Sequence, residues 1–190
     1  MKIAVIYFTK TNVTGALAKA IIEEIKSRPD MSVLEHRIEG KEIYEGRFFN
    51  PALFEKLLTC DAIIMGTPTY MGGPSAQFKA FVDASSGHWN KQLWAGKIAA
   101  GFTSGTGLNG DQTGTLNYLA TFANQHGMIW VGLDLAQGGA EPQPLNRLCC
   151  QIGIVAESVN GRVNEIDVRT AKYLGGRVAD FVNKLSSSKV

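Results

Sequence analysis

No apolar run in this chain approaches the ~20 residues that a membrane-spanning helix needs. The longest, IAVIYF and AIIMG, have the length of buried strands. No charged-then-apolar leader with a small-residue cleavage site opens the sequence, so no secretory signal is expected. Cysteine is scarce. Cys60, Cys149 and Cys150 are odd in number, with two adjacent, and make a poor disulfide framework. There is no C-x-x-C pair, and reduced thiols in a cytoplasmic protein are the expectation. Charge is sparse too, at 19% of residues with a net +2. No basic run or aromatic-basic stripe appears, which argues against a nucleic-acid partner.

Several phosphate-binding signatures are also missing. No G-x-G-x-x-G follows a strand, so an ordinary dinucleotide turn is excluded. No G-x-x-x-x-G-K-[ST] is present, so this is not a nucleoside triphosphate P-loop. The first strand does not end in an acidic residue and the third ends in Thr67-Pro68, so the metal site of a receiver domain is absent.

The chain does contain alternating strand-like and helix-like segments, in 190 residues that suit one domain. Strands are predicted over 2–8, 32–38, 62–66, 97–103 and 128–133. Helices are predicted over 15–27, 51–59, 75–85, 111–125 and 166–185. The 32–38 segment alternates polar and apolar residues, as an edge strand does. Asn50 before Pro51 reads as an N-cap. Phe78, Phe81 and Val82 fall on one helix face, and Tyr118 and Tyr173 are expected in the core. His36 and His88 are expected at the surface. Residues 134–164, rich in Gly, Pro and Gln, read as a long excursion. Residues 1–186 form the predicted domain and 187–190 a frayed tail. Such alternation builds a parallel sheet covered on both faces. Ligands in these sheets sit beyond the carboxyl ends of the strands, where the strand order reverses.

Three polar loops should converge there. The first is Thr9, Lys10, Thr11, Asn12, Val13 and Thr14, between a strand and a helix N-terminus. Free amides and the helix dipole make this a natural phosphate cradle without a metal; the alternative is a plain polar loop. Lys10 either adds charge or points to solvent. The second loop, GTPTYMGGP, holds Pro68, Thr69, Tyr70, Met71 and Gly72, with glycines that permit close approach and an aromatic and a thioether that offer flat surface. An ordinary turn is the alternative. The third comprises Thr103, Ser104, Gly105, Thr106, Gly107, Leu108, Asn109 and Gly110. It presents backbone amides suited to the polar edge of a planar heterocycle, or is a mobile surface loop. Together the loops describe one flat cofactor with a phosphate tail, and FMN fits that description.

GTPTYMGGPSAQFKAFVD, GHWNKQLWAGK, FTSGTGLNGDQ and NQHGM resemble the flavodoxin-like NAD(P)H:quinone oxidoreductases of the WrbA type. The resemblance covers most of the chain, and TAKYLGGRVADF is similar to that family's last helix. It implies a flavodoxin-like α/β fold, a doubly wound five-stranded parallel sheet in the order 2-1-3-4-5. It implies FMN as cofactor, NAD(P)H as co-substrate and a quinone as acceptor, in two-electron ping-pong steps. Thr9–Thr14 would hold the phosphate, Thr69–Met71 the ring and Ser104–Gly110 its polar edge. His126 would contact the flavin and Trp89 would line the substrate site of a neighbouring subunit in a homodimer or homotetramer, with Trp89 and Tyr70 as flat walls; the alternatives are a satisfied structural histidine and a packing tryptophan. The excursion would form part of the substrate roof. The chain departs from the pattern at Thr11, where the family has an aromatic, at Asn12, where it has glycine, and at Tyr70, where it has arginine. Asn tolerates the left-handed backbone that the glycine would supply. Two rivals share the fold: a flavodoxin that carries single electrons, which is typically very acidic, and a non-catalytic binding module.

Overall fold

The structure, a computed structural model, describes residues 1–135 and 144–187. β1 (Lys2–Tyr7) leads into α1 (Val13–Lys26), and β2 (Ser32–Arg37) follows. A short hairpin, β3 (Ile43–Tyr44) with β4 (Arg47–Phe48), precedes α2 (Pro51–Leu58). β5 (Ala62–Tyr70) folds back on β6 (Gly73–Pro74), and α3 (Ala76–Ala84) and α4 (Ser86–Asn90) come next. β7 (Ile98–Gly105), α5 (Asp111–Gln125), β8 (Ile129–Trp130), β9 (Ile154–Val159), β10 (Arg162–Val163) and α6 (Glu165–Ser187) complete the chain.

The parallel core runs β2-β1-β5-β7, and both β8 and β9 then pair with β7 in parallel. This is the expected 2-1-3-4-5 order, with the fifth position shared by two segments. β8 lies against Ile98 and Ala99 at the start of β7, and β9 lies against Phe102–Gly105 at its end. The chain is flavodoxin-like, with helices on both faces of the sheet.

Period-two alternation divides β1 between two cores. Ile3, Val5 and Tyr7 face α1 and α6, packing with Leu17, Ile21, Leu174 and Val178. Ala4 and Ile6 face α2, α3 and α5, packing with Leu53, Phe78, Phe81 and Leu116. β2, at the sheet edge, is partly exposed throughout, as its alternation predicts. Asn50 caps α2, accepting from the Leu53 amide at 3.0 Å, and Ser75 caps α3.

Several expectations are corrected. Residues 134–164 are not wholly irregular, because they contain β9 and β10. The apolar run Ile154-Val155-Ala156 is short and lies in a segment rich in Gly, Pro and Gln, which conceals a buried strand from a composition reading. Residues 136–143 of that excursion lie outside the described residues. The 62–66 strand extends to Tyr70, so the second loop is mostly a hairpin. Met71 and Gly72 form its tip, both with positive φ, at 49° and 79°. His36 and His88 are half-buried: His36 pairs with Glu42, and His88 stacks on Phe54. Tyr118 and Tyr173 are only partly buried, and Tyr173 donates to Asp134. Ser187 belongs to α6, and residues 188–190 of the expected tail lie outside the described residues.

Candidate functional site

The first loop leaves the carboxyl end of β1 and turns into α1 through Asn12, whose φ of 67° and ψ of 2° are left-handed. Asparagine thus holds the turn that a glycine would otherwise make. Thr9, Val13 and Thr14 are buried, while Lys10, Thr11 and Asn12 are exposed. The Thr9 hydroxyl accepts from the Gly15 amide at 3.2 Å. Arg37, at the end of β2, donates to the Thr9 carbonyl at 3.3 Å. Sequence reading passed over Arg37, because its place in an edge strand suggests only a solvated side chain.

Hydroxyl pairs join the loops. Thr14 and Ser104 lie 2.8 Å apart, which ties the first loop to the third. Thr69 Oγ1 lies 2.8 Å from both Thr103 Oγ1 and Thr115 Oγ1, which ties the second to β7 and α5. The Thr103 hydroxyl also donates to the Thr67 carbonyl at 2.7 Å. Pro68 is buried within β5 beneath the hairpin. Between hairpin and third loop lies a cleft of about 770 Å³, lined by Thr69, Met71, Gly72 and residues 105–112. That volume is within the range of cofactor clefts. On the hairpin, Tyr70 is 43% exposed and Met71 is fully exposed.

Two predicted site residues lie elsewhere. His126 follows α5, whose 15 residues span roughly 22 Å, so it sits at the opposite end of the sheet from the three loops of its own chain. It is 1% exposed and stacks on Trp94 at 4.3 Å. It is therefore a packing residue here, and the expected flavin contact is not made within the chain. Its Nε2 lies 3.0 Å from Ser85 Oγ, whose proton is directed to the Val82 carbonyl at 2.6 Å. Nε2 therefore carries the ring proton, and the buried Nδ1 has no partner. Burial, with a smaller contribution from the charge of His88, pushes the pKa down to about 4. Trp89, on α4, is at the same end of the molecule and is 47% exposed. Gln92 donates to the carbonyls of both Trp89 and Gln125, joining the two segments.

The donor set fits FMN. Neutral hydroxyls and helix-terminal amides at Thr9–Thr14 suit a phosphate dianion, and Arg37 supplies charge beside them. The third loop lines the cleft with residues 105–110. Gln112, 2% exposed, donates to the carbonyls of Gly107 at 2.6 Å and Leu108 at 3.4 Å, and its buried Oε1 has no partner. Sequence reading missed Gln112, since a polar residue opening a helix looks solvated. Among the described residues no cluster of His, Cys, Asp and Glu could hold a metal.

A family model described as NADPH-dependent FMN reductase matches residues 1–140. The chain belongs to this family. Curated relatives of this FMN reductase family member include Flavodoxin FldP of Pseudomonas aeruginosa, 32% identical over 97% of this chain and 98% of the relative. An NAD(P)H dehydrogenase (quinone) of Archaeoglobus fulgidus is 33% identical over 97% of this chain and 98% of its own. The crystal structure of a flavodoxin, WrbA-like protein from Agrobacterium tumefaciens is 35% identical, with a TM-score of 0.76, covering 96% of this chain and 98% of that one. The WrbA-type resemblance of the motifs is thus borne out in family and fold.

Proposed function

We propose that this chain is an FMN-dependent oxidoreductase that passes hydride from NAD(P)H to a quinone. One observation carries the reading. The hydroxyl-rich first loop, the hairpin and the amide-rich third loop meet at the carboxyl ends of β1, β5 and β7, joined by Thr14–Ser104 and Thr69–Thr103 contacts. Relatives named NAD(P)H dehydrogenase (quinone), at 30% identity in Syntrophus aciditrophicus and 33% in Archaeoglobus fulgidus, support it.

When bound, FMN supplies reversible two-electron chemistry. The protein's part is to bind, orient and shield it. Thr9, Thr14 and the amides of residues 10–14 hold the phosphate, and Lys10 and Arg37 lend charge. Thr69, Met71 and Gly72 flank the ring, while the amides of residues 104–110 face its polar edge. Tyr70, exposed on the hairpin, is a flat wall against which a nicotinamide or a quinone ring stacks. Because one face serves both, the two substrates must alternate. Initial rates with NADPH varied at several benzoquinone concentrations are expected to give parallel double-reciprocal lines. Intersecting lines would contradict a shared face.

The same reading takes residues 1–186 as a single domain and places it in the cytoplasm, consistent with three free thiols. No described helix is long and apolar enough to cross a membrane. The protein is read as a homodimer or homotetramer in which Trp89 reaches a neighbour's cleft.

A further inference from the structure

We infer that Gln112 is a binding residue for the cofactor ring, its side-chain carbonyl accepting a hydrogen bond from the N3–H of the isoalloxazine. The inference rests on FMN occupying the cleft between the hairpin and the third loop. An oxidised isoalloxazine carries four hydrogen-bond acceptors, N1, O2, O4 and N5, but one ring donor, N3–H. A loop that offers backbone amides satisfies acceptors. The single donor needs an acceptor, the carbonyls of Gly107 and Leu108 are already engaged by Gln112, and a donor left unmet on binding is costly.

Gln112 supplies what is missing. Its amide group is fixed from the nitrogen side, since Nε2 donates to the carbonyls of Gly107 and Leu108. This polarity directs Oε1 away from those carbonyls, where it is buried and has no partner among the described residues. Buried side-chain acceptors are normally satisfied, so an orphaned one on a residue that lines a cleft marks a place for a donor. The absence of a side chain at Gly105 makes room for it: a Cβ there would lie 3.1 Å from the Gln112 Cδ and 3.4 Å from Oε1. The same glutamine therefore shapes the third loop with its nitrogen and reads the ring with its oxygen.

The test compares binding of FMN with binding of FMN methylated at N3, which keeps the phosphate and the ring but lacks the donor. Binding is followed by quenching of flavin fluorescence on titration of the apoprotein. The native protein is expected to bind the methylated cofactor about tenfold more weakly. In Gln112→Met, which keeps the length and loses the acceptor, FMN binding should weaken by about the same factor and the discrimination should vanish. Gln112→Glu keeps an oxygen acceptor and should retain discrimination even if the loop, stripped of the amide donor, binds less tightly overall. Equal affinity of the native protein for the two cofactors would overturn the assignment, whatever the variants do. Undiminished discrimination in a folded Gln112→Met would overturn it as well. A native protein that binds neither cofactor would overturn the FMN reading itself, and this inference with it.

Discussion

At the scale of single residues, side chains divide by whether their role depends on local or distant partners. Asn12 was legible, because a left-handed turn at a helix entry is a property of a few consecutive residues. The hydroxyls of Thr9, Thr14, Thr69 and Thr103 were legible as a class, although their pairings with Ser104 and Thr115 depend on strand order. Gln112 and Arg37 were not legible, because their partners are carbonyls that no pattern marks. For His126 a motif gives the position in the chain, while the length of α5 sets it far from the loops of its own chain. Its burial also makes a prediction. A second proton would have to sit on Nδ1, which has no acceptor, so the folded pKa of about 4 lies below the ordinary 6.5. The unfolded chain therefore binds more protons between those values, and stability falls as pH drops through that window. The loss from this residue should reach about 3 kcal/mol at pH 4. Urea unfolding between pH 7 and pH 4 should show it, and His126→Gln should flatten the profile. An unchanged slope in the variant would show that other groups dominate.

At the scale of elements, the central strands were legible from apolar runs, the edge strand from its alternation and β8 within the predicted 128–133, but β9 was not. The fifth position is built from two segments, β8 and β9, separated by the excursion. Backbone contacts require glycine at the joins: a Cβ on Gly153 would lie 2.5 Å from the Gly101 carbonyl oxygen, and one on Gly132 would lie 2.3 Å from that of Gln151. Gly153 is one of the glycines that made the region read as a loop. A buried ion pair holds the returning chain. Arg147 grips Asp167 through two 2.8 Å bonds, with the Asp167 side chain 2% exposed, and Asp167 also accepts from the Glu157 amide of β9. Asn109 of the third loop donates to the Leu148 carbonyl, so this clamp reaches the cofactor cleft. Replacing Arg147 by Met leaves the carboxylate buried and unpaired. It should cost about 3 kcal/mol. A loss of less than about 1 kcal/mol in the free energy from urea unfolding would show that the pair is dispensable.

At the scale of the whole molecule, the charge balance of +2 sets this chain apart from very acidic single-electron carriers with the same fold. The fold is shared with proteins as distant as Flavodoxin 2 of Bacillus cereus, at 20% identity and a TM-score of 0.63, so fold alone does not assign the chemistry. The exposed Trp89 and Leu93, at the end of the sheet opposite the loops, suit burial by a neighbouring copy. Gel filtration should give a mass that is a multiple of 20.5 kDa, and Trp89→Ala should lower quinone turnover without unfolding the chain. A monomer with full activity would contradict the shared site.

The visible spectrum of the purified protein tests the central claim most directly. A yellow protein that bleaches on addition of NADPH without oxygen and regains its colour on addition of benzoquinone is the predicted result. A colourless protein that takes up no added FMN, or a yellow one that NAD(P)H leaves unbleached, would contradict the account.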